Sequence, residues 1–191
     1  MNKDTFILGR FDRNLADIRR WAIVRTIRGQ SVAEHSYFVA MMMPRLLREY
    51  GFTDPVLVAE AIEYALVHDR DEVLSGDIAT PIKKRLDSES LKRIADEYGI
   101  RAVCSNPVIL AATKVLDLFE AAVFLNEEMA LGNTRVCDVL FVIQRKLEKA
   151  CLEFENHVPV YPDDKRRVYR RLSEVLHHVR FSKIDPLEVM E

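Results

Sequence analysis

An all-α fold is predicted by three observations. Apolar residues recur at helical spacing from one end of the 191-residue chain to the other. Helix-start signals appear repeatedly, each a capping residue followed by proline or by glutamate three positions on. No section is strand-rich, internally repeated or of low complexity. With 49% hydrophobic and 30% charged residues the composition is that of an ordinary globular protein, and the length suits one domain over residues 1–191.

The first clear helix starts at Ser31, where Glu34 completes the pattern of a capping box, and runs through Val39, Leu46 and Leu47 to Gly51. Pro44 inside it predicts a kink or an irregular turn. Asp54 and Pro55 open the next helix, which continues through Ala61, Ile62, Ala65 and Leu66 to His68 and Asp69, then gives way to a loop around Gly76. Asn106 and Pro107 repeat the signal and open a long helix ending near Gly132 and Asn133. Two further helical patterns cover residues 134–156 and 162–179, joined through His157, Val158 and Pro159.

A formal net charge of −2 carries no global basic signature, so nucleic acid is not the expected partner, and the basic run at Lys165, Arg166, Arg167, Arg170 and Arg171 reads as the solvated face of the last helix. Residues 1–10 lack a signal-peptide core, and no later stretch is long and apolar enough to span a bilayer. Cys104, Cys137 and Cys151 are scattered and odd in number, which fits reduced, buried thiols in a cytoplasmic protein.

The chemistry concentrates on three helices. His68 and Asp69 end an apolar run, while His35 and Asp117 sit on apolar helical stretches where a polar group needs a partner to be worth burying. On the long helix Leu110, Thr113, Asp117, Glu120 and Phe124 share one face; His35, beside Val32, Phe38 and Val39, points into the bundle. Two imidazoles and two carboxylates make a ligand set for one divalent metal, with Co, Mn, Fe and Zn all tolerated. The alternative is that His35 and His68 are core histidines satisfied by backbone carbonyls, and that Asp117 pairs with Lys114 or an arginine. Met41, Met42 and Met43 are expected to pack, and His157, His177 and His178 to lie outside the site.

The spaced motifs Arg20-Trp21, Val32-Ala33-Glu34-His35-Ser36, the loop from His68 through Lys83, Asp117 and the segment Glu127 to Asn133 resemble the HD-domain metal-dependent phosphohydrolases over residues 20–133. The chain looks most like the bacterial 5′-deoxynucleotidases and is also similar to phage dATP triphosphohydrolases. The resemblance implies a helical HD-domain bundle with His35, His68, Asp69 and Asp117 on the metal, Glu72 and Asp77 at acidic catalytic positions, and Arg20 and Trp21 binding substrate. It also implies a homodimer or higher homo-oligomer. Thr80 and Lys83, in the same loop, are further candidates for the substrate side.

In chemical terms, Glu72 suits a general base or water-orienting group, and Asp77 a proton donor or a contact to a sugar hydroxyl. Arg20 suits a bidentate grip on phosphate, Lys83 a point-charge contact, and Trp21 a flat face for base or sugar. As alternatives, Asp77 would cap a short helix near Ile78 and the single tryptophan would be a core anchor. The activity expected is hydrolysis of deoxynucleoside 5′-monophosphates. The alternatives are dATP or dNTP triphosphohydrolysis and a non-catalytic nucleotide-binding module.

Overall fold

Capping chemistry opens the three helices that carry the site. In the computed structural model, which describes residues 12–83, 85–158 and 167–181, helix α1 spans Val32–Glu49. The Ser31 hydroxyl accepts the Glu34 N–H at 3.2 Å, and the Glu34 carboxylate accepts the Ser31 N–H at 2.7 Å, so the capping box is complete. Helix α2 (Pro55–Val67) starts on the Asp54 carboxylate, which accepts the Val56 N–H at 3.0 Å.

Glu72–Ser75 and Thr80–Lys83 form the short helices α3 and α4, and Ser88–Glu97 forms α5. Helix α6 (Pro107–Ala130) is capped by Asn106, whose side chain accepts from Val108 N at 3.0 Å. A 3-10 turn at Thr134–Val136 leads into α7 (Cys137–Glu155), and α8 spans Arg167–Phe181.

Helix α6 is buried on most of its circumference and packs against α1, α2, α7 and α8, which explains why its sequence is apolar nearly all round. Val39, Met43 and Leu47 of α1 meet Ala61 and Ala65 of α2, whose small side chains let the two axes approach. Leu147 and Phe154 of α7 and Leu176 of α8 close the other side. Phe154 lies edge-on to Tyr50 with centroids 5.7 Å apart. Among the described residues no helix is long and apolar enough to cross a membrane.

Several expectations need adjusting. Helix α1 runs through Pro44 with no irregular turn there, and the interval after Gly76 holds an unanticipated helix, α5, which starts on the Asp87 carboxylate. The region 134–156 divides into the 3-10 turn and α7. Phe38 and Leu110 face outward because each lies at the edge of its helix's apolar stripe, and Met41 is exposed while Met43 packs. Of the three free cysteines only Cys151 is buried; Cys137, at the exposed start of α7, faces solvent. The expectations for residues 1–10, Pro159, Pro162, Lys165 and Arg166, and for the side chains of Arg167 and His178, fall outside what is described.

Candidate metal centre and substrate cleft

His35 sits one turn into α1, His68 and Asp69 follow the last turn of α2, and Asp117 lies midway along α6. One ligand atom each from His35, His68 and Asp117 lie within 4.8 Å of one another. Asp117 Oδ1 is 3.4 Å from His35 Nε2, and Asp69 Oδ2 is 3.3 Å from His68 Nε2 and 3.8 Å from His35 Nε2. Asp69 thus flanks the three-residue cluster on its imidazole side.

Hydrogen bonding tests whether these residues fit a cation. His68 Nδ1 donates to the Ala65 carbonyl at 2.7 Å, which leaves the lone pair on Nε2. His35 is wholly buried, with Nδ1 against the Glu120 carboxylate. The Nε2 atoms of both rings are buried without a hydrogen-bond partner. Such atoms are costly to bury, and a cation between them and the two aspartates would satisfy both. The backbone-carbonyl alternative accounts for one nitrogen of His68 and for neither of His35. The N and O donor set suits a divalent first-row metal.

The electrostatics agree with a centre built to carry charge. Burial works against a charged His35, but the Asp117 and Glu120 carboxylates outweigh it and raise its pKa. Burial likewise opposes the Asp117 carboxylate, yet His35 and Lys114 hold its pKa below the ordinary range. Lys114 Nζ lies 2.6 Å from Asp117 Oδ2, so the predicted lysine pairing exists alongside the cluster.

Glu72 opens α3 and is almost fully buried. Its Oε1 accepts from Lys83 Nζ at 3.2 Å, while Oε2 is buried without a partner. Burial first, and then the nearby Asp69 charge, push its carboxyl up to about 8, with Lys83 opposing. Lys83 is therefore directed at Glu72, away from the cleft's lining.

Asp77 lines the cleft and caps no helix. Its Oδ2 accepts the Trp21 backbone N–H at 3.0 Å. Trp21 takes φ +68°, a left-handed conformation uncommon for a bulky side chain, and this bond helps hold it. Thr80 opens α4; its side chain lies outside what is described.

The Arg20 guanidinium is already engaged: Nη1 donates to Glu120 Oε2 at 3.1 Å and to Gln30 Oε1 at 3.2 Å, and Nη2 is 3.9 Å from Asp117 Oδ1. The Trp21 indole stacks on Phe124 with centroids 5.6 Å apart and donates from Nε1 to Gln30 Oε1 at 2.9 Å. It is both anchored in the core and half exposed to a cavity of about 640 Å³. Arg20, Trp21, Asp77, Lys114, Asp117, Asp138 and Lys146 supply that cavity's polar and aromatic lining.

Sequence reasoning missed the roles of Gln30, Glu120 and Lys146. Glu120 had a usable signal, an acid three residues beyond Asp117 on the same face of an apolar helix. The motif Glu127 to Asn133 proves to be an anchor. Glu128 accepts the N–H groups of Ile27 (2.5 Å) and Arg28 (2.9 Å), and Asn133 Nδ2 donates to Glu128 (2.8 Å) and to the Arg25 carbonyl (2.9 Å).

A helical bundle with a histidine–aspartate centre opening on a cleft that mixes lysines, an arginine and aspartates around one tryptophan points to a class, the metal-dependent hydrolases of phosphate esters. The model of the YfbR-like 5′-deoxynucleotidases matches residues 10–102. The chain is 32% identical to a dATP triphosphohydrolase of Acinetobacter phage SH-Ab 15497, over 74% of this chain and 75% of that one. It is 33% identical to the 5′-deoxynucleotidase YfbR of Salmonella paratyphi B, over 69% and 67% of the respective chains. The fold also matches a solved structure of the cyanophage S-2L HD phosphohydrolase, described as bound to dA and one catalytic Zn2+ ion, with a TM-score of 0.66 at 22% identity, over 90% of this chain and 98% of that one. The chain belongs to the family that holds these 5′-deoxynucleotidases and phage dATP triphosphohydrolases, and it has the fold of an HD phosphohydrolase.

Proposed function

We propose that this protein hydrolyses 2′-deoxyribonucleotides at the bond between the 5′-oxygen and the α-phosphorus, with deoxynucleoside 5′-monophosphates as substrates. The observation that carries the reading is the pair of buried, partnerless Nε2 atoms of His35 and His68, facing two aspartates at the edge of a lysine- and tryptophan-lined cleft. His35, His68, Asp69 and Asp117 hold one divalent metal, with Mn, Fe, Co and Zn as candidates. Such an ion, when bound, acidifies water and neutralises charge on a phosphoryl oxygen.

The chain's own residues do the rest. Lys83 fixes Glu72 through Oε1, so that Oε2 accepts a proton from the attacking water. Lys83 thus acts on the substrate through Glu72. Asp77 holds the Trp21 backbone with Oδ2, and its other oxygen delivers a proton to the leaving 5′-oxygen or accepts from a sugar hydroxyl. Trp21 covers the nucleoside, while Arg20, Lys114 and Lys146 supply positive charge for the phosphate.

A second reading, triphosphohydrolysis of dATP or other dNTPs, breaks the same bond and releases triphosphate. It is favoured by the phage relatives, one of which, from Salmonella phage PMBT28, aligns over 83% of this chain at 30% identity. The deciding experiment offers metal-loaded protein a panel of deoxy- and ribonucleoside mono- and triphosphates and separates the phosphate products. Orthophosphate from deoxynucleoside monophosphates is expected. Triphosphate from dNTPs establishes the second reading, and no turnover of any nucleotide overturns both in favour of a binding module.

A further inference from the structure

We infer that Glu120 is a positioning residue that ties the metal centre to the substrate loop, an inference that rests on the metal site proposed above. Glu120 lies on α6 one turn beyond Asp117 and is almost completely buried. Its two oxygens face different ends of the site. Oε2 meets His35 Nδ1 and accepts from Arg20 Nη1 at 3.1 Å. Oε1 accepts from Gln30 Nε2 at 2.6 Å, and Gln30 Oε1 in turn accepts the Trp21 indole N–H at 2.9 Å. An unbroken chain of hydrogen bonds therefore runs from a proposed metal ligand, through Glu120 and Gln30, to the aromatic ring that covers the nucleoside.

The chemistry of the junction requires a carboxylate. A guanidinium only donates, yet Arg20 Nη1 lies 2.6 Å from His35 Nδ1. The two groups are compatible when both N–H bonds converge on Glu120 Oε2, which only a negatively charged acceptor makes favourable. With the proton held on Nδ1, the lone pair of His35 is on Nε2, 3.4 Å from Asp117 Oδ1. Partners of this kind on metal-bound histidines commonly change metal affinity by about 10- to 100-fold.

Trp21 is the single tryptophan of the chain, so its fluorescence reports the far end of the network directly. The test titrates full-length metal-free protein with Zn2+, following both affinity against a chromophoric chelator and Trp21 emission, in wild type, Glu120→Gln, Glu120→Ala, Glu128→Gln and His68→Ala. Zn2+ should change the emission of wild type. Glu120→Gln should bind Zn2+ about tenfold more weakly, Glu120→Ala up to about 100-fold more weakly, and both should lose the emission response.

Glu128→Gln loosens the same loop without touching a proposed ligand, so it should keep Zn2+ affinity. Wild-type affinity and emission response in Glu120→Gln would overturn the inference, as would equal losses of affinity in the Glu120 and Glu128 variants, the mark of general loosening. The isosteric Glu120→Gln decides the matter if Glu120→Ala does not fold. Full Zn2+ binding by His68→Ala would instead overturn the metal site itself. Loss in His68→Ala alongside unaltered Glu120 variants would overturn only the role of Glu120.

Discussion

Single side chains divide into those that would hold the metal and those that would move protons, and substitution separates them. His68→Ala and Asp117→Ala should lose bound metal and hydrolysis together, while His157→Ala, on an exposed turn, should lose neither; elemental analysis beside a turnover assay checks this. Glu72→Ala should keep the metal but lower turnover by about two to four orders of magnitude, and near-wild-type turnover would demote Glu72 to a buried structural acid. Glu72 also has a signature in stability. In the metal-free protein its folded pKa of about 8 stands above the ordinary 4.5, so between those values the folded state holds a proton that the unfolded chain releases. Its contribution is fully present below about pH 4.5 and is lost as pH rises toward 8. Thermal melts of metal-free protein should fall across that window in wild type, and Glu72→Gln, which cannot ionise, should flatten the slope. The residues that the sequence singles out and the structure brings together, His35, His68, Asp69, Asp117 and Glu72, are polar groups interrupting apolar helices or following one, and burial makes such interruptions conspicuous. Glu120 showed only its place on the Asp117 face and Gln30 nothing, because their hydrogen-bond partners lie 85 and 90 positions apart in sequence.

At the scale of elements, the helices position the proposed ligands, and the loop over residues 21–30 carries Trp21, the proposed cover of the nucleoside. Ser31 caps the helix that carries His35, so Ser31→Ala should cost about 1 kcal/mol and lower Tm by about 2–4 °C, measured by calorimetry. The loop is pinned from α6 by Glu128, whose carboxylate burial would raise in pKa but which the Ile27, Asn133 and Arg28 donors hold ionised, below its ordinary value. Glu128→Ala leaves the Ile27 and Arg28 N–H groups and the Asn133 amide without their acceptor. The expected result is a KM for nucleotide raised about tenfold with kcat much less affected, since the loop carries the proposed substrate contact Trp21 and Glu72 stands elsewhere. A fall in kcat at constant KM would place the loop in the chemical step instead. The helix starts at Ser31, Asp54 and Asn106 were legible because a cap and its following residues are local chemistry. Helix α5 escaped notice although Asp87 caps it, since only one of its residues, Ala95, is buried and its apolar stripe is short. The turn at Gly132, with φ +93°, could be foreseen as a helix end, but its effect of bringing Asn133 back to Arg25 requires the fold.

For the whole molecule, the centre joins elements far apart in sequence, α1, the end of α2 and the middle of α6, so the ligand set exists only when these have packed. The unfolded chain presents the same residues separately, with no more than the adjacent His68 and Asp69 available together. An ion that binds the folded chain and scarcely binds the unfolded one stabilises it by mass action, about 4 kcal/mol when the free ion is at 1,000 times its Kd. For a chain of this length that corresponds to a rise in Tm of about 8–16 °C. The prediction is that a strong chelator lowers Tm by this order and that re-addition of a divalent first-row ion restores it. His68→Ala and Asp117→Ala should melt near the chelated wild type and respond to neither treatment, whereas Glu72→Ala should respond as wild type does. The core built around Met43, Leu47, Ala112, Leu116 and Leu125 is apolar and fully buried without any ligand residue in it, so chelation should lower Tm without abolishing the cooperative transition. Collapse of the transition on chelation would mean that the ion is a folding nucleus as well as the reagent at the site. An unchanged Tm in wild type would mean that the two histidines are satisfied without any ion, and the proposed chemistry would lose its foundation.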